Sequence, residues 1–141
     1  MENLAERNTL IICDDIMDTM KRGSRAHELV TQFFVRSSHH LGCSVFLVLQ
    51  NFFHPGVREI SIQSHFLIMF DQPRDRSNFG IISRQILPGQ SRFLMEAYKR
   101  ACEQREHGYL AIDLSPRNKS CPFWVRSSLF PDDEDCELYL P

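Results

Sequence analysis

No apolar run in this 141-residue chain approaches the ~18 residues that a membrane-spanning helix needs. Its opening stretch, MENLAERNT, is charged and holds no apolar h-region, so no secretory signal is expected there. None of the five cysteines (Cys13, Cys43, Cys102, Cys121, Cys136) stands in a C-x-x-C pair. That spacing offers no zinc framework, and the odd count argues against a disulfide scaffold. Free thiols in a reducing compartment are the expectation: an intracellular protein, neither secreted nor membrane-bound. Internal repeats are lacking too. The one biased segment is PDDEDCELYLP at 131–141, with five acids and no base.

What is present is an ordinary globular composition, 43% hydrophobic and 24% charged, in a length that suits one domain with a real core. The net charge of −2 is unevenly spread. Of the 18 acidic residues five lie in the tail, which leaves 13 against 16 basic residues in a mildly positive body. Such a balance permits contact with nucleic acid without demonstrating it.

Five segments read as strands: TLIIC at 9–13, SVFLVLQ at 44–50, HFLIMF at 65–70, GYLAIDL at 108–114 and FWVRSSLF at 123–130. Unbroken apolar runs of this length suggest strands covered on both faces, as in a parallel sheet. Helical stretches fall between them. Residues 16–20 and 26–36 form one helix interrupted near Gly23 or two short ones. RDRSNFGIISRQIL and SRFLMEAYKRACEQR follow, the second with Phe93, Ala97 and Ala101 on one face and Ser91 as its expected N-cap. The rhythm of strand, helix, strand, turn, strand, helices, strand predicts an α/β fold: a three-layer, open, mainly parallel sheet.

The first strand runs straight into Asp14 and Asp15, and the second ends at Gln50 and Asn51. Ligands in open α/β sheets sit outside the carboxyl ends of the strands. Two acids and an amide at the ends of neighbouring strands can hold a hydrated magnesium ion and orient a water. The plainer reading makes the carboxylates a helix N-cap, and the residues alone leave both open. A metal-dependent nuclease built on Asp14, Asp15 and a histidine is a third class, with no H-x-x-x-H spacing behind it.

The ordered set LIICDDIMD, then FFVRSSHHLGCSVFLVLQN, then PRDRSNFGIISRQILPG, then FLMEAY and GYLAIDLSP resembles the DNA-packaging ATPases of large DNA viruses and Polinton (Maverick) transposons. These belong to the FtsK–HerA superfamily of ring-forming, DNA-translocating ATPases. The resemblance covers roughly residues 9 to 131. It implies a P-loop NTPase-like sheet, ATP and Mg²⁺ as cofactors, non-specific double-stranded DNA as partner, and a homo-oligomeric ring. By the same resemblance Asp14 is the magnesium-organising acid and Asp15 the catalytic carboxylate. Gln50 is the polar sensor, and Arg84 or Arg74 is an arginine acting in trans. His39 and His40 are candidates for contact with DNA or a neighbouring subunit. Location in a host nucleus or cytoplasm, or in a virion, follows from it.

One part of the family pattern is missing. G-x-x-x-x-G-K-[ST] needs a glycine followed by lysine, and none of the six glycines has one. Only eight residues precede the strand that matches Walker B. The expectation is a core incomplete at its N-terminal side: residues 1–130 as a partial ATPase core starting at the Walker B strand, and 131–141 as an exposed acidic tail. One explanation is a fragment of a longer open reading frame, or a split gene whose partner carries the phosphate loop. A degenerate remnant, the alternative, serves as a binding or oligomerisation module. Either way the chain alone is expected to hydrolyse no ATP.

Overall fold

The computed structural model describes residues 9–37, 42–74, 76–115 and 124–141. His39, His40 and Cys121 lie outside them. The chain divides into two compact units, Met1–Ser64 and His65–Pro141. The boundary between these units falls after Ser64.

In the first unit, β1 (Thr9–Cys13) leads through a 3-10 turn at Met17–Thr19 into α1 (Arg25–Gln32), which widens into a π turn at Phe33–Ser37. β2 (Cys43–Leu47) and α2 (Arg58–Gln63) follow. Gly23, at φ +81, turns the chain in a conformation that costs glycine little. Ser24 then caps α1 by accepting from the His27 N–H at 3.2 Å. The interruption foreseen near Gly23 is thus a break between two separate helical pieces. β1 and β2 pair in parallel, Thr9 opposite Cys43 and Cys13 opposite Leu47. One face of this pair packs Cys13, Val45 and Leu47 against Met20, Val30, Phe34 and Ile60. The other presents Leu10 and Ile12, 55% and 64% exposed, with Phe46 and Val48 beside them.

The second unit holds β3 (Phe66–Phe70), α3 (Arg76–Ile86), α4 (Ser91–Glu103), β4 (Tyr109–Asp113) and the short β5 (Val125–Arg126). Its sheet has the order β3-β4-β5 and is antiparallel throughout. α4 buries Leu94, Ala97, Tyr98 and Ala101, an i, i+3, i+4, i+7 stripe. Phe79 of α3 stacks on Tyr98 with ring centroids 4.2 Å apart. The expected cap is corrected here: Gln90 holds the N-cap position of α4, and Ser91 is its first helical residue.

The architecture is mixed α/β, but the single mainly parallel, three-layer sheet is corrected. Among the described residues the parallel part is one two-stranded pair, covered on one face, and the larger sheet is antiparallel. An apolar run does not distinguish a strand covered twice from one whose second face stays open, which is why β1 and β2 misled. The residues after Pro131 keep their acids exposed while their backbone runs back along β5. Ser127 N–H donates to the Glu137 carbonyl at 3.0 Å, and Tyr139 N–H to the Val125 carbonyl at 2.9 Å.

Candidate functional site

The ladder between β1 and β2 extends one step past the strands, with the Val48 N–H donating to the Cys13 carbonyl at 2.9 Å. Both chains then leave the sheet at the same end, which carries Asp14 and Asp15 on one side and Gln50 on the other. Asp15 adopts φ +51, a left-handed conformation that aspartate tolerates better than most residues. In this conformation Asp15 Oδ1 accepts a hydrogen bond from Gln50 Nε2 at 3.3 Å, across 35 residues of sequence. Asp14, Asp15 and Gln50 are all exposed.

The neighbouring groups are occupied otherwise. The 3-10 turn after the acids has Ile16 at its N-cap position and no side-chain cap, so neither carboxylate plays the capping role. Ile16 O instead accepts from the Thr19 and Met20 N–H groups and from Thr19 Oγ1. Asn51 Oδ1 accepts from the Phe53 N–H at 2.9 Å, an Asx turn that commits this amide to shaping its own loop. Beneath the corner, burial pushes the Cys13 thiol up from its ordinary value.

The structure brings Asp15 and Gln50 into contact and places Asp14 next to them in the chain. Arg74 and Arg84 belong to the second unit. Both are exposed, Arg74 in the turn after β3 and Arg84 in the last turn of α3. Other arginines of the second unit are engaged. Arg92 Nε donates to Glu96 Oε1 at 2.9 Å. Arg105 donates to the Ser127 carbonyl at 3.0 Å and lies over the Tyr109 ring, 5.2 Å from its centroid. The buried Arg126 donates through Nε to the Ser128 carbonyl and through Nη2 to the Leu129 carbonyl, at 3.0 and 2.7 Å. Sequence reasoning missed this structural use of Arg105 and Arg126; their only signal is a place near strand ends, which many surface arginines share.

Chemically the corner joins the Asp15 carboxylate to the Gln50 amide, with the Asp14 carboxylate adjacent in the chain, and oxygen donors of this kind suit a largely hydrated magnesium ion held through one or two acids. Among the described residues no three His, Cys, Asp or Glu side chains gather into a fuller metal site. No helix there is long and apolar enough to cross a membrane. Nothing in the sequence supplies a glycine-lysine loop to cradle a triphosphate. Comparison with protein-family models, with curated proteins and with solved structures gives no match to this chain.

Proposed function

We propose that the Asp14–Asp15–Gln50 corner is the carboxylate side of an ATPase site of the DNA-packaging, FtsK–HerA kind. The observation that carries this reading is the Asp15–Gln50 hydrogen bond at the carboxyl ends of adjacent parallel strands. A magnesium ion held there supplies charge neutralisation toward a phosphate. Asp14 would hold that ion. Asp15 accepts a hydrogen bond from the attacking water, and Gln50 fixes the carboxylate's rotamer while leaving its second oxygen available for that water. The phosphate cradle comes from sequence outside these 141 residues, in a longer form of the chain or in a partner polypeptide, and either Arg74 or Arg84 serves a neighbouring subunit's site. The completed assembly is an intracellular or virion-associated ring with a P-loop NTPase-like sheet that moves double-stranded DNA without reading its sequence. A second reading, a remnant that binds or oligomerises without turnover, is favoured by the open apolar face at Leu10, Ile12, Phe46 and Val48.

Two measurements test the ATPase reading. Titrating Mg²⁺ into the chain while following amide resonances is expected to shift Asp15 and Gln50 at millimolar ion, and Asp14→Asn is expected to abolish those shifts. The chain alone is expected to release no phosphate from ATP above background. With a polypeptide carrying the phosphate loop it gains magnesium-dependent turnover, which Asp15→Asn reduces by about 100-fold or more while nucleotide binding persists. Hydrolysis by the isolated chain, or turnover in the assembly that ignores Asp15→Asn, overturns these roles.

A further inference from the structure

We propose that a second copy of this chain docks along the open edge of β3, strand to strand and antiparallel, about a two-fold axis at Ile68. The inference uses the second unit alone and stands whether or not the Asp15 corner is an ATPase site.

The direction of the open backbone groups follows from the register. β3 and β4 pair antiparallel with Phe66 opposite Asp113 and Phe70 opposite Tyr109. The Leu114 N–H donates to the His65 carbonyl at 2.7 Å, so His65 and Leu114 are a hydrogen-bonded pair of the ladder. Alternation along an antiparallel ladder then turns Leu67 and Met69 toward β4, and turns the N–H and C=O groups of Phe66, Ile68 and Phe70 outward. Among the described residues β3 has no strand on that side. Tyr98 Oη donates to the Phe70 carbonyl at 2.8 Å and accepts from the Gln72 N–H at 3.3 Å, so one side chain already engages the C-terminal end of this strand. That carbonyl keeps a second lone pair.

The occupant follows from the sequence of the edge. FLIMF has phenylalanine at both ends and isoleucine at its centre. A two-fold axis at Ile68 sets Ile68 against its own copy and Phe66 against Phe70 of the other copy. All three outward-facing residues then exchange both backbone hydrogen bonds. Phe66 and Phe70, 46% and 52% exposed, become cross-strand aromatic pairs. The strand also lacks the usual guards of a free edge: it carries no charge, no proline and no bulge. Two phenyl rings and a five-residue edge bury on the order of 500 Å² per copy, below the ~800 Å² of a standard interface, so the pair is reversible and concentration-dependent.

Sedimentation velocity and amide exchange on the full chain test this, over roughly 5 to 500 µM. The expected result is a monomer–dimer equilibrium. Protection of the Phe66, Ile68 and Phe70 amides rises with concentration, and that of Leu67 and Met69 does not change. Phe66→Lys with Phe70→Lys, both exposed positions, is expected to weaken the dimer at least tenfold. Ile68→Pro, which removes one outward N–H and none from the β3–β4 ladder, is expected to do the same. Unchanged far-UV circular dichroism shows that each variant is folded. A chain monomeric across the range, or a dimer that persists in both variants, overturns the proposal. Persistence would assign association to another surface, such as the Leu10–Ile12 face.

Discussion

Tyr139 shows how a single side chain ties the acidic end of the chain to its core. It is buried, and its hydroxyl donates to Glu137 Oε2 at 3.1 Å. Burial first, and then the neighbouring carboxylate, push its phenol from 10.0 up to about 12. The folded state therefore holds this proton at pH values where the unfolded chain has released it. The contribution to stability is complete below pH 10 and is lost as pH rises from there toward about 12. Urea unfolding across that window is expected to show a steeper loss of stability in the natural chain than in Tyr139→Phe. Equal slopes would place the phenol in solvent. Asp15 illustrates the same scale at the candidate site, where one left-handed residue brings its carboxylate to the Gln50 amide.

At the scale of elements, most strands and the two long helices were legible because apolar runs and helical periodicity are local signals. TLIIC is a strand as read, and Arg76–Ile86 and Ser91–Glu103 lie inside their expected stretches. The parallel pairing of β1 with β2 followed from the helix between them, and it put Asp15 within reach of Gln50. What failed was non-local. α2, within VREISIQ, was read as a turn because its six residues are too few to show a period. The antiparallel order of β3, β4 and β5 depends on which edges meet, and burial patterns in the sequence do not encode that. The turn from α4 into β4 gives an element-scale prediction. A Cβ on Gly108 would clash with the carbonyl oxygens of Ala101, Cys102 and Arg105, all backbone atoms that cannot swing aside. Gly108→Ala is expected to cost about 1–3 kcal/mol, measured as a lowered urea midpoint of the second unit. A midpoint within error of the natural chain would mean that the turn reshapes freely.

The whole molecule consists of two units with unequal cores. The first buries Met20, Val30, Phe34 and Ile60 beneath a two-stranded sheet whose other face, among the described residues, leaves Leu10, Ile12, Phe46 and Val48 exposed. A lone parallel pair of strands needs cover on both faces, so this core sits at the low end of what supports independent stability. The second unit wholly buries Leu94, Leu110, Ile112 and Val125, adds the Phe79–Tyr98 stack, and anchors the end of the chain through Tyr139. The first unit is therefore expected to unfold at lower denaturant than the second. The single tryptophan, Trp124, lies in the second unit, where its carbonyl accepts from the Asp113 N–H at 2.7 Å. Its fluorescence follows that unit alone, while far-UV circular dichroism follows both. In a urea series the circular dichroism is expected to begin falling before the fluorescence moves, and Val30→Ala is expected to advance only the early phase. A shift of the fluorescence midpoint by Val30→Ala, with both probes coincident, would instead make the two units one cooperative block.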